Sequence, residues 1–145
     1  MRVLFDTSLL VALFVENHPQ HKKASKAYTT LVKENAEPFV AAHSLAETFR
    51  TRTKGISYLD FSAEQARKII KEGILPHFKV VSLSSDAYVE VIDELAENGL
   101  TGAIIYDALI SKAASIAEAN YLVTFNVKDF QRVFPKNGAD LILPR

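Results

Sequence analysis

The chain has 145 residues, 48% of them hydrophobic and 23% charged, the composition of a folded globular protein with one core that buries roughly two thirds of the unfolded surface. There is no cysteine, which excludes disulfides, thiolate zinc sites and thiol nucleophiles. Its 17 basic residues balance its 17 acidic ones, so the overall field gives no argument for a nucleic-acid partner and only local patches can.

Val3 to Phe5 are uniformly apolar and end in Asp6, Thr7 and Ser8, after which Leu9, Leu10, Ala12, Leu13 and Phe14 follow a helical pattern; this predicts a buried strand running into a helix. A second helix is expected from near Pro19, a favoured first-turn residue, to about Asn35, with Ala24, Ala27, Tyr28 and Leu31 inward and Lys22, Lys23, Lys26 and Lys33 on a solvated face. Pro38 ends helical order, Phe39 to Ala42 read as a strand, and Ser44 opens a helix that stops at Gly55, a suitable C-terminal cap. Helices at about Ser62 to Lys71 and Ser85 to Glu97 flank the strand Lys79 to Leu83, and Asn98-Gly99 closes the second. Gly102 starts an alanine-rich helix to about Ala119. Tyr121 to Phe125 and Ala139 to Leu143 are the last strands, with a turn at Asn137-Gly138 between them. This alternation predicts a single α/β domain over residues 1–145, a three-layer α/β/α arrangement around a mostly parallel sheet of four to five strands. The longest apolar runs, such as Leu9 to Val15, are far below the ~20 residues of a membrane span, and Met1-Arg2 leads straight into apolar sequence without a leader pattern. A cytoplasmic protein is the expectation.

In an open parallel sheet, ligands bind beyond the carboxyl ends of the strands. Asp6, Thr7 and Ser8 end the first strand; Thr124, Asn126 and, a turn later, Asp129 end another. Asp107 sits amid Ile104, Ile105, Tyr106, Ala108, Leu109 and Ile110, where an unpaired carboxylate would be costly and calls for a proton, a donor or a cation. Glu47, early in its helix, can project to the same edge. Acids meeting in one cleft repel by about 4 kcal/mol per pair at ~4 Å and an effective dielectric near 20, and a divalent ion offsets that. Oxygen ligands without cysteine or paired histidines favour magnesium or manganese, which point to phosphodiester hydrolysis.

Each acid also has a structural reading. Asp6, Thr7 or Ser8 could cap the following helix, and Ser44-Leu45-Ala46-Glu47 matches a capping box. Asp107 could pair with a cation at a helix contact, and Asp129 could cap the turn before Phe130. Arg50, Arg52 and Lys54 could hold a phosphate backbone or form an ordinary solvated helix end. His18 and His21 flank Pro19 without a third ligand and read as structural or surface residues. His43 and His77 carry no assignment, and Tyr106 and Phe49 read as core or rim residues.

Val3-Leu4-Phe5-Asp6-Thr7-Ser8-Leu9-Leu10, Ser44-Leu45-Ala46-Glu47, Tyr106-Asp107-Ala108-Leu109-Ile110 and Leu122-Val123-Thr124-Phe125-Asn126-Val127-Lys128-Asp129-Phe130 together resemble the PIN-domain family, in particular VapC-type ribonuclease toxins of toxin–antitoxin pairs, over nearly the whole chain. The resemblance implies Asp6, Glu47 and Asp107 as metal-binding acids, and Mg2+ or Mn2+ activating water against RNA. Thr7, Ser8 and Thr124 become supporting hydroxyls, and a homodimer bound by an antitoxin protein is implied. Family members commonly carry a fourth acid where this chain has Asn126; an asparagine brings no charge, so a second ion is held less tightly unless Asp129 reaches the cleft. The competing functions are a non-catalytic RNA- or protein-binding module of the same fold and an aspartate-based phosphoryl-transfer domain. The second lacks an aspartate two residues after Asp6.

Overall fold

Val3, Leu4 and Phe5 have no polar face, and the strand they form, β1 (Arg2–Phe5), lies at the centre of the sheet. The structure, a computed structural model, describes residues 1–53, 61–133 and 138–145. The other strands are β2 (Glu37–Ala41), β3 (Lys79–Val81), β4 (Tyr121–Val123) and β5 (Asp140–Ile142), in the order β3-β2-β1-β4-β5 with every pairing parallel. Leu4 registers with Phe39 on one side and Leu122 on the other. The chain builds outward from β1 to β3 and then crosses over to β4, so the gap between the carboxyl ends of β1 and β4 is the switch point of the sheet, where adjacent loops part to opposite faces.

Alternation along β1 divides the core. Val3 and Phe5 pack with Leu9 and Leu10 of α1 (Thr7–Leu13) and with Ala24 and Leu31 of α2 (His21–Lys33) on one face. Leu4 and Leu122 pack on the other face, against Ile110, Ala113 and Ala114 of α6 (Ile104–Ile116) and Phe130 of α7 (Val127–Val133). Between these lie α3 (Ala42–Thr53), which touches both α1 and α6, α4 (Ala63–Lys68) and α5 (Ser85–Glu97). Val91 and Leu95 of α5 pack on Ile104, Ala108 and Leu109. Five parallel strands with helices on both faces match the expected architecture. Among the described residues no helix is long and apolar enough to cross a membrane.

Several local expectations are corrected. Pro19 precedes α2, which begins at His21 and ends at Lys33; Asn35, beyond it, has φ 60°. Pro38 lies inside β2, in register with Val3, and is tolerated because β3 begins only opposite Phe39. α3 follows β2 with no loop, so Ser44 is a buried third helical residue and not a cap. The helix opened by Ser62 does carry a capping box, with Gln65, but beyond Lys68 it loosens into a π-helical turn, Ile69–Ile74, where a Cβ on Gly73 would meet the Phe14 ring at 2.7 Å. The alanine-rich helix starts at Ile104, since Gly102 adopts φ 78°, and ends at Ile116. Helix α7 was not expected from the sequence. The strands expected to end at Leu83, Phe125 and Leu143 end at Val81, Val123 and Ile142. Gly55, Lys54 and Asn137 lie outside the described residues.

Candidate active site

The carboxyl end of β1 delivers Asp6 to the switch point, where its carboxylate caps α1: Oδ1 accepts from Thr7 N at 2.7 Å and Oδ2 from Ser8 N at 3.4 Å. Two hydroxyls add to this. Ser8 Oγ donates to Oδ2 at 2.6 Å and Thr124 Oγ1, itself fully buried, at 2.8 Å. Those hydroxyls are held in turn from the end of β4, since Phe125 N donates to Ser8 Oγ (3.2 Å) and Asn126 N to Thr124 Oγ1 (2.9 Å). The capping and cleft readings of Asp6 are therefore compatible: one carboxylate ends a strand, starts a helix and ties β1 to β4. At 4% exposure it loses most of its hydration. That burial pushes its pKa upward, against the lowering effect of the Ser8, Thr124 and backbone bonds.

Glu47 reaches the same place from α3. Its Oε1 accepts from Thr7 Oγ1 at 3.2 Å and lies 3.4 Å from His43 Nε2, one helical turn earlier. The capping-box reading of Glu47 fails, because Ser44 is inside the helix. Partial burial raises the Glu47 carboxyl above its usual range, with Asp6 adding repulsion and His43, Thr7 and Arg50 opposing. Asp107 occupies the first turn of α6 and is half-buried. Desolvation, then the negative charges of Asp6, Asp129 and Glu47, push it from 3.8 up to about 7, with Arg132 opposing. Among the described residues no ion pair forms at Asp107, and Arg132 offsets its shift only in part, so pairing at a helix contact does not account for it.

Asp6, Thr7, Ser8, Glu47, Asp107 and Asn126 line one cavity of about 280 Å³. Asn126 turns its amide toward Asp129, with Nδ2 donating to Oδ2 at 2.8 Å, while Asp129 Oδ1 stands 3.9 Å from Arg132 Nη1. Asp129 does not line the cavity and acts on it through its field, raising Asp107; it lies in the first turn of α7 and does not cap a turn before Phe130. The expected basic patch divides. Arg50 is exposed beside Glu47, whereas Arg52 is buried with its guanidinium carbon 5.9 Å from the Phe61 ring centroid, so it is not a surface contact for phosphate.

Sequence reasoning missed three polar cavity residues, His18, Gln20 and Thr51. His18 Nδ1 accepts from Gln20 N at 3.1 Å, and burial, with Arg52 and His21 nearby, holds its pKa below the ordinary value. The only available signal was position: the turn after α1 returns to the edge where Asp6 lies. His21 is structural as expected, its Nδ1 2.9 Å from Ala12 O.

Among the described residues no three acids or histidines stand close enough together, as placed, to hold a metal ion by themselves. Asp6, Glu47 and Asp107 form an open, oxygen-only set around the cavity, with each pKa raised by burial and, for Glu47 and Asp107, by the neighbouring negative charges. Such a set suits a hard divalent ion that keeps several of its waters, and suits a closed tetrahedral site poorly.

This combination of a parallel five-stranded sheet and strand-end acids defines the class: the chain matches the PIN domain model over residues 3–134 and belongs to that family. Within it, the structure is similar to VapBC2 from Rickettsia felis bound to a DNA fragment from its promoter, at 26% identity and TM-score 0.71 with both chains fully covered. It shares its fold with VapC20 of Mycobacterium tuberculosis, described as a sarcin-ricin loop cleaving toxin, at 15% identity, TM-score 0.70 and coverage of 94% of this chain and 98% of that one. FitAcB from Neisseria gonorrhoeae also shares it, at 15% identity, TM-score 0.67 and coverage of 97% and 96%. No curated protein sequence matches the chain.

Proposed function

We propose that this PIN domain is a metal-dependent endoribonuclease, the toxin of a toxin–antitoxin pair, and that Asp6, Glu47 and Asp107 hold Mg2+ or Mn2+. The observation that carries the reading is the meeting of these three acids at one cavity beyond the sheet's switch point, the pKa of each raised by burial, with that of Asp107 at about 7. A site that accumulates this much uncompensated carboxylate is organised for a cation. The bound ion would supply a more acidic water and neutralise charge on the phosphoryl oxygens.

The chain's own residues supply order. Four bonds fix Asp6, so it is presented without rotamer loss. Thr7 holds Glu47, and Ser8 and Thr124 transmit the position of the β4 end to Asp6. Asp107 carries a proton up to about neutral pH in the metal-free chain and gives it up when a cation takes its place. Exposed Arg50 beside Glu47 offers a contact for the RNA backbone. Similarity to complexes named VapBC and FitAcB supports an antitoxin partner, and we extend the same reading to a homodimer.

The test is cleavage of single-stranded RNA with Mg2+ or Mn2+ by the wild type, Asp6→Asn and Asp107→Asn. Each substitution is expected to reduce cleavage by at least about a hundredfold. Cleavage by both variants undiminished from that of the wild type, or none by the wild type with either metal, overturns the proposal.

A further inference from the structure

Beside the carboxylate cavity lies a second one of about 370 Å³, lined by His43, Ala46, Glu47, Arg50, Thr51, Ala103 and Tyr106. The two share Glu47 and Thr51, so they adjoin at these residues, with Asp6 and Asp107 on the far side of Glu47 in the first cavity's lining. Its most unusual feature is a pair of stacked rings: His43 and Tyr106 lie 4.9 Å apart between centroids and only 9° from parallel. Tyr106 remains 47% exposed although it immediately precedes a candidate metal-binding acid on a mostly buried helix. An exposed tyrosine normally samples several rotamers; this one is backed by a second ring whose Nε2 is 3.4 Å from Glu47 Oε1. The result is a flat π surface, ordered in advance, with a cation, Arg50, in the same cavity.

We propose that the Tyr106–His43 platform is a nucleobase subsite, which stacks the base of a nucleotide flanking the scissile phosphate while Arg50 meets its backbone. This rests on the ribonuclease reading for its placement but not for its measurement. Stacking is sequence-tolerant, since every base offers a π face, and suits single-stranded RNA, whose bases are free to turn out. A duplex would keep its bases from the platform.

The chain has no tryptophan, so Tyr106→Trp places a sole fluorescent reporter in the platform. It would be titrated in calcium with a mixed-sequence RNA octanucleotide and with the same strand carrying abasic residues. The base-bearing strand is expected to quench the tryptophan and the abasic strand is not. Tyr106→Ala should weaken binding of the base-bearing strand by about tenfold or more, Tyr106→Phe should retain it, and the abasic strand should bind wild type and Tyr106→Ala alike. Phe retention separates stacking from loss of fold, as does an unchanged thermal midpoint. Quenching without any RNA cleavage in Mg2+ or Mn2+ would end the nuclease reading and leave the subsite standing. Normal cleavage with undiminished binding by Tyr106→Ala would leave the platform to a protein partner and overturn the subsite alone. Failure of the wild type to bind the octanucleotide would overturn it too.

Discussion

Replacing Asp107 with asparagine is expected to stabilise the metal-free protein at neutral and alkaline pH while abolishing the proposed RNA cleavage. Asp107 has its proton held more tightly in the folded chain, near 7, than the ordinary 3.8 of an exposed carboxyl. The folded state is therefore favoured by this group below about pH 4, and that advantage is lost as the pH rises through about 7. Raising a carboxyl that far costs its ionised form about 4 kcal/mol at most. Asp107 is only half-buried, so water screens it, and about 1–2 kcal/mol is the reasonable expectation for the penalty on ionisation. Asparagine fills the same volume and cannot ionise. Urea unfolding after chelation, at pH 5 and pH 8, checks the reasoning. The variant should exceed the wild type by about 1–2 kcal/mol at pH 8 and by much less at pH 5. Adding Mg2+ should close the gap by stabilising only the wild type, as the proposed site would bind the ion in the folded state alone. A variant no more stable than the wild type at pH 8, or a difference independent of pH, would refute the account of Asp107 as a strained acid.

Asp6→Ala should destabilise by about 2–3 kcal/mol in urea unfolding, because it removes a helix cap and strands the buried Thr124 hydroxyl, whereas Asp6→Asn keeps an acceptor and should lose less. Asn126→Asp replaces an amide that donates to Asp129 with a like charge, and should cost about 1 kcal/mol without metal while tightening Mn2+ binding in calorimetry. Arg50→Ala should weaken RNA binding and flatten its dependence on salt by about one ion, while Arg52→Ala should lower the thermal midpoint and leave that slope unchanged.

How much was legible beforehand depended on whether the information was local. Val3-Leu4-Phe5 could be read as a buried strand because an unbroken apolar run has nowhere else to go, and Ser62 starts a helix where its hydroxyl can receive a free amide, while the helix expected from Ser85 does begin there, with Ser84 as its cap. Asp107 stood out because its neighbours are apolar. Glu47 did not, since a serine three residues earlier mimics a cap, and only the absence of a loop between β2 and α3 moves Ser44 into the helix. Helix α7 was hidden behind Asn126 and Asp129, polar residues that suit a turn equally well until Phe130 finds its place against the second core face. Arg52 shows the same limit from the other side: a basic residue among polar ones reads as surface, and it is buried against Phe61.

Periodicity and end signals, which act over a few residues, determined by themselves that strands and helices alternate and that acids lie at strand ends. Tertiary structure alone decided that Asp6, Glu47 and Asp107 share a cavity, that Thr124 completes the bonding of Asp6, and that His43 meets Tyr106. Those contacts join residues far apart in the chain. Strand order and helix phase bring them together, and neither is written in any short stretch of residues.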